Sequence, residues 1–160
     1  MGNFDNYLKV LADTLTNKEQ VLAQILDITK EQESILKASE YNDDAFLETL
    51  NKKEPLIARI NQLDEGFQAV YERIRQDVYD QGGVYDGEIK KLQEMIRTCI
   101  DIGSRIETLE AENKKRLSEY VSSQRQEYKA KAATNTAAMK YYQSMSGVGV
   151  ASSAFMDQNK

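Results

Sequence analysis

The sequence predicts an all-α fold in which long antiparallel helices form a coiled coil or three-helix bundle, followed by a flexible C-terminal tail. The 160 residues include a single Pro, where average usage of about 5% would give roughly eight, and Pro disrupts helix interiors. Apolar residues also recur at alternating spacings of three and four along three stretches, which is typical of helices that pack along their length. These patterns predict a bundle domain over 1–140, with helices at 3–38, 43–80 and 86–140, and a tail over 141–160.

The first predicted helix has a seam of Leu and Ile with polar interruptions. A polar stretch at 39–44 ends the pattern, and either Asn42 or Asp43 is suited to cap the helix that follows, with acidic residues at the positive end of the helix dipole. The seam consists of Leu8, Leu11, Leu15, Lys18, Leu22, Ile25, Thr29, Gln32 and Leu36.

The second predicted helix keeps its register across Pro55. An interior Pro removes a backbone hydrogen bond and kinks a helix, so the pattern predicts one kinked helix, and the alternative is two helices that meet near Lys53. The seam consists of Phe46, Leu50, Lys53, Ile57, Ile60, Asp64, Phe67, Tyr71, Ile74 and Val78.

The third predicted helix begins near Asp86, after a turn at 80–87 in which Gly82 and Gly83 can adopt positive φ. Its seam loses apolar residues at Glu110 and Asn113. The seam spacing predicts that the following residues are buried: Ile25, Ile60, Ile74, Leu92, Ile96 and Ile106. The polar seam residues are expected to specify either an antiparallel register within one chain or a homodimer: Lys18, Thr29, Lys53, Asp64 and Asn113.

The residues that most often carry catalysis or bind metals are scarce. The chain has no His, which is the commonest general base and metal ligand. Its single cysteine, Cys99, falls on an apolar seam, which favours a structural core thiol over a nucleophile. Carboxylates alternate with Lys and Arg, as on a solvated helix face. We therefore expect no enzymatic activity, no cofactor and no metal site.

The charge is unevenly distributed. The whole chain carries a formal charge of -5, which argues against a nucleic-acid partner. Residues 111–140, however, contain seven Lys or Arg and three Asp or Glu, a net charge of +4, which suits either the negative end of a helix dipole or an acidic protein partner. No apolar run approaches the roughly 18 residues of a membrane helix, so we expect no membrane insertion, and we expect a cytoplasmic location.

The region from Glu110 to the C-terminus is the candidate partner-binding surface. Its seam is weakened, its charge differs from that of the acidic body, and its last twenty residues carry apolar side chains in an irregular, Gly- and Ser-rich sequence. This tail is expected either to remain free for a partner or to pack back on the bundle. The candidate residues are Leu117, Tyr120, Val121, Tyr128, Met139, Tyr141, Tyr142, Met145, Val148 and Phe155.

Three segments carry a resemblance to a known family. Residues 34–38 (SILKA), 42–57 (NDDAFLETLNKKEPLI) and 154–160 (AFMDQNK) resemble FlgN-type flagellar export chaperones, and the helical organisation is similar along nearly all of the chain. The resemblance implies a cytoplasmic chaperone of flagellar type III export. Such a protein binds the C-terminal helical regions of the hook–filament junction proteins FlgK and FlgL, keeps them unpolymerised and delivers them to the export machinery, and its C-terminal part carries the binding.

Two alternatives remain open beside this resemblance. One is a FliT-like chaperone of the filament cap, which belongs to the same class of helical export chaperone. The other is a structural coiled-coil protein with no secreted client. Helix-in-groove recognition would serve either chaperone, since an amphipathic client helix can lay its apolar face on exposed apolar positions of a bundle.

Overall fold

Three long helices make up the fold in the computed structural model, which describes residues 3–80, 82–125 and 140–141. Helix α1 spans Asn3–Lys37, α2 spans Asp43–Asp80 and α3 spans Asp86–Arg125. At 1.5 Å per residue they are roughly 50–60 Å long. The described residues contain no strand, and the all-α prediction is confirmed. The predicted continuation of α3 to residue 140 and the predicted tail fall mainly on 126–139 and 142–160, which lie outside the described residues.

The connection between α1 and α2 has the predicted cap. The Asn42 side chain accepts a hydrogen bond from the backbone N–H of Ala45 at 3.1 Å, and Asp43 and Asp44 occupy the first turn of α2. This pairing satisfies one of the donors that the start of a helix leaves unpaired, while the carboxylates favour the positive end of the helix dipole. Of the two candidates for the cap, Asn42 is the residue used.

The connection between α2 and α3 depends on glycine. Gly82 and Gly83 have φ values of +57° and +93°, a conformation that side chains with a Cβ seldom adopt. The predicted turn is therefore confirmed at 82–85, between the end of α2 at Asp80 and the start of α3 at Asp86, and its two glycines are required by the backbone conformation.

Helix α2 is continuous through Pro55. Pro55 and Asn51, whose carbonyl loses its helical donor, are both exposed, so water can replace the missing hydrogen bond. The prediction of a single helix is confirmed, its kink at Pro55 stays a prediction, and the alternative of two helices meeting near Lys53 is wrong.

The core is divided into three clusters along the bundle, and the chain runs up, down and up through them. We call them the turn-end cluster, the middle cluster and the C-terminal cluster. The turn-end cluster is built on Leu8, Leu11, Leu15, Phe67, Tyr71, Ile74, Leu92 and Ile96. The middle cluster is built on Leu22, Ile25, Leu26, Ile60, Cys99 and Ile106, and the C-terminal cluster on Phe46 and Leu117. All six residues predicted to be buried are buried, and so is Cys99.

The three helices are not equally close to one another. The backbone of α1 lies close to the backbones of both α2 and α3. The backbones of α2 and α3 lie close to each other at hardly any position. The side of the bundle between α2 and α3 is therefore its wider side.

Candidate partner-binding site

The buried polar residues between the middle and C-terminal clusters form one connected layer, which we call the polar layer. It consists of Thr29, Gln32, Thr49, Lys53, Glu110 and Asn113, all of them buried. The residues come from all three helices, and each lies on or beside the seam that the sequence predicts. Burying six polar side chains in an apolar bundle is costly unless they satisfy one another.

Lys53 is the centre of the polar layer. Its ammonium forms an ion pair with Glu110 of α3 and donates a hydrogen bond to the Gln32 Oε1 of α1 at 2.9 Å. The Lys53 side chain is 0% exposed. Burial lowers the pKa of Lys53 to about 7, because desolvation disfavours a charged ammonium. The oxygens of Gln32 and Glu110 that contact the ammonium favour its charged form.

The remaining contacts of the polar layer tie α1 to its neighbours. Gln32 Nε2 donates to the Thr49 hydroxyl at 3.1 Å, and Asn113 Nδ2 donates to the backbone carbonyl of Thr29 at 3.1 Å. Among the described residues, the second carboxylate oxygen of Glu110, Oε2, is buried and has no hydrogen-bond partner. The layer is therefore nearly but not fully satisfied, and an unsatisfied carboxylate oxygen reduces its contribution to stability.

A second ion pair, between a buried Lys and a half-buried Asp, lies at the other end of the middle cluster. Lys18 of α1 contacts Asp64 of α2 at 2.7 Å. All five polar seam residues that the sequence singles out take part in this ion pair, in the Lys53–Glu110 pair or in the Asn113–Thr29 hydrogen bond. These residues specify the register of the three helices within one chain, which is the first of the two predicted roles, and formation of a homodimer stays a prediction.

The predicted binding residues of α3 lie at the C-terminal cluster. Leu117 is 0% exposed and forms part of the core with Phe46, so in this conformation a partner does not reach it. Val121 is half-buried and packs on the same cluster. The Tyr120 ring lies 4.4 Å, centroid to centroid, from the ring of Tyr41. Of these three, Tyr120 and Val121 retain exposed surface.

Tyr141 lies on the bundle, although the sequence assigns it to the start of the flexible tail. It is half-buried and packs against both the middle and the C-terminal cluster. Its ring centroid is 5.5 Å from the Lys53 Nζ, a distance at which an aromatic face attracts a cation. Burial raises the pKa of the Tyr141 phenol, with the nearby Glu54 carboxylate contributing. At this residue the second expectation for the tail, packing on the bundle, holds.

The six other predicted binding residues lie outside the described residues: Tyr128, Met139, Tyr142, Met145, Val148 and Phe155. Within the described part of the chain, no group of His, Cys, Asp and Glu is arranged to hold a metal ion, and no helix is long and apolar enough to cross a membrane.

Two features of this region were not assigned by the sequence patterns. The pairing of Lys53 with Glu110 joins residues 57 positions apart, and the seam shows only that each interrupts an apolar stripe. A carboxylate on one predicted seam and an ammonium on another are the signal that could have found this pairing. The position of Tyr141 on Lys53 has no periodic signal, because Gly- and Ser-rich sequence follows it.

Comparison with known proteins identifies no relative of this chain. No protein-family model matches the chain, and neither the curated proteins nor the solved structures contain a match. The fold and the site together define a three-helix bundle with a buried polar layer and an aromatic residue docked beside it.

Proposed function

We propose that this protein is a non-enzymatic, cytoplasmic export chaperone of the FlgN type, which binds the C-terminal helical regions of FlgK- and FlgL-like hook–filament junction proteins. The chaperone would keep these proteins unpolymerised until they reach the flagellar export machinery. Binding would need no catalytic group and no cofactor.

The observation that carries this proposal is the docking of Tyr141 on the bundle. A side chain from beyond the three described helices packs across two clusters and lies over a buried cation. The bundle thus has a surface that accepts additional apolar side chains, which helix-in-groove recognition requires. The resemblance of the three sequence segments to FlgN-type chaperones supplies the client.

The candidate contact surface combines this place with the half-buried aromatic and apolar residues at the end of α3. Its described members are Tyr120, Val121 and Tyr141. The apolar residues between Tyr142 and Phe155 follow in the sequence. An interface of standard size buries about 1,200–2,000 Å² in total, more than one aromatic side chain supplies, so the residues that follow Tyr141 are expected to contribute.

Deletion of residues 142–160 tests the proposal. The deletion begins after Tyr141 because that residue packs on the bundle. Calorimetry with the C-terminal helical region of an FlgL-like junction protein should show at least a tenfold loss of affinity, or about 1.4 kcal/mol, with little change in melting temperature. Val10→Ser is a matched control, since Val10 is 46% exposed in the first half of α1, far from the C-terminal cluster.

Three other outcomes would redirect the proposal. Binding to a filament-cap protein but not to junction proteins would favour the FliT-like alternative. Binding to neither class by the full chain would favour a structural coiled coil. A deletion that lowers the melting temperature and leaves client affinity unchanged would assign residues 142–160 to the fold.

A further inference from the structure

Tyr141 lies on the wider side of the bundle, between α2 and α3. Lys52, one position before Lys53, pairs with Glu31 of α1 at 3.9 Å. Glu54, one position after Lys53, is the carboxylate whose charge helps burial to raise the pKa of the Tyr141 phenol. Successive helical residues are rotated by about 100°, so Glu54 projects to the side of Lys53 opposite to Lys52. Tyr141 is therefore on the side of Lys53 that faces away from α1 and towards α3.

The walls of this place follow from the same helical geometry. Ile57, four residues after Lys53, shares the Glu54 side of α2. On α3, Arg116 pairs with Glu33 of α1 at 3.6 Å, and Lys114, four residues after Glu110, lies on the opposite side. We call this place the α2–α3 groove and define it by Lys53, Glu54, Ile57, Glu110 and Lys114.

Tyr141 reaches the groove from a distance along the chain. Glu110 is at the level of Lys53, and α3 continues 15 residues beyond it to Arg125, which is roughly 22 Å at 1.5 Å per residue. Tyr141 is again at the level of Lys53. Lys140, the described residue beside it, is exposed, whereas Tyr141 is half-buried.

Lys53 makes the exchange selective. Its ammonium is buried beside a carboxylate that has one oxygen without a partner among the described residues. Removing the ring would take away the cation–π contact at 5.5 Å and let water reach the ion pair. A second aromatic ring in the same position would retain the cation–π contact and exclude water. An aliphatic side chain would exclude water but would not stabilise the cation.

We propose that the α2–α3 groove is a docking site for an amphipathic partner helix that places a Tyr, Phe or Trp side chain over Lys53, in the position that Tyr141 occupies in the free chain. The inference deepens the proposed function and rests on it for the identity of the client. It differs at Tyr141, which competes with the partner instead of contacting it. The rim charges, Glu54 and Lys114, suit a partner helix with a basic residue on one flank and an acidic residue on the other.

Substitution of Tyr141 tests the competition in the full-length chain. Tyr141→Ala should bind the junction-protein helical region at least three times more tightly than the wild type, whereas Tyr141→Phe, which keeps the ring, should bind like the wild type. Tyr141→Gln is a second open variant of similar length, to be used if the alanine variant is poorly folded by circular dichroism. Equal affinities, or weaker binding by the open variants, would overturn the inference while leaving the proposed function standing.

A probe that does not depend on the client separates the two proposals. A fluorescein-labelled peptide of residues 134–148 of this chain should bind Tyr141→Ala at least ten times more tightly than the same peptide in which Tyr141 is replaced by Ala. If both peptides bind equally, or neither binds up to about millimolar concentration, the groove does not select an aromatic side chain and the inference fails. If the peptides discriminate and the junction proteins do not bind, the groove is confirmed and the client is wrong.

The displacement itself can be observed with Tyr141→Trp, because the chain contains no other Trp. Its emission should be blue-shifted in the free chain and should move to the red when a Trp-free junction-protein helical region saturates the site. Unchanged emission at saturation would show that the partner binds elsewhere, and a concentration-dependent red shift without partner would assign the groove to a second copy of this chain.

Discussion

The two halves of the bundle follow the same heptad pattern and differ in what they place on it. Towards the α2–α3 turn, the seams of all three helices carry apolar side chains that meet in the turn-end cluster, and the ring of Phe4 packs 4.4 Å from that of Tyr85. Towards the other end, the seams carry the polar layer, and among the described residues Phe46 and Leu117 are the fully buried members of the cluster beyond it. The comparison teaches that heptad spacing fixes where residues meet, while their chemistry decides whether they contribute stability or register.

Breaking the central ion pair should have the largest effect. Lys53→Met leaves the Glu110 carboxylate buried without its cation, which should lower the free energy of unfolding by about 3–5 kcal/mol. The double variant Lys53→Met/Glu110→Leu should recover most of this loss, because apolar residues of similar volume often replace a buried pair without cost. Urea denaturation of the two variants checks this, and a double variant as unstable as the single one would show that the layer stabilises the fold by itself.

Truncation of the core should have the next largest effect, and it should occur in both halves. Ile96→Ala in the turn-end cluster and Ile60→Ala in the middle cluster each remove a side chain that is at most 1% exposed. Each should cost about 2–5 kcal/mol, measured by thermal or chemical denaturation. Val10→Ala, at an exposed position, should stay within about 0.5 kcal/mol of the wild type. A wild-type melting temperature for either Ile variant would contradict the seam assignment.

The free energy of unfolding should depend on pH through the polar-layer half of the bundle, and this effect should be smaller than those of breaking the ion pair or truncating the core. Since burial lowers the pKa of Lys53 to about 7 from its ordinary 10.5, the unfolded chain binds more protons than the folded chain between these values. The cost of holding Lys53 charged is therefore fully present below pH 7 and is lost as the pH rises towards 10.5. Relative to Lys53→Met/Glu110→Leu, the wild type should gain about 2 kcal/mol between about pH 7 and 9. A constant difference would mean that Glu110 keeps Lys53 fully charged throughout this range.

The smallest structural effect is expected at Cys99, in the middle cluster between the two halves. Burial raises the pKa of this thiol to about 11, and the thiolate is the reactive form. Labelling with a disulfide reagent near neutral pH should be at least about a hundredfold slower in the folded chain than in guanidinium chloride. Rapid labelling without denaturant would show that the middle cluster opens readily.

The fold could be read from the sequence because its determinants are local or periodic. The seam placed Ile60 and Ile96 in the core, Asn42 marked a helix start, and Gly82 and Gly83 marked a turn, each through a rule that needs only neighbouring residues. The continuity of α2 through Pro55 also followed from its unbroken register.

The candidate site could be predicted only in part, because its contacts join distant positions. Leu117 was expected on a binding surface, but the bundle buries it against Phe46, since the seam continues past Asn113 for one more apolar layer. The sequence assigns Tyr141 to the tail because its surroundings lack periodicity. It contacts Lys53, which lies 88 positions earlier in the sequence. No local pattern encodes a contact over that separation.

The Lys18–Asp64 and Lys53–Glu110 ion pairs have a further consequence for how the chain tolerates insertions and deletions. The two members of each of three pairs lie eleven positions apart: Lys18 and Thr29 on α1, Lys53 and Asp64 on α2, and Cys99 and Glu110 on α3. Each helix therefore covers the interval between the two ion pairs in about three turns. Losing one residue from this interval in a single helix would rotate the residues beyond it by about 100° and turn one member of an ion pair towards solvent or an apolar neighbour. Changes in length inside the interval are therefore tolerable only when all three helices change together.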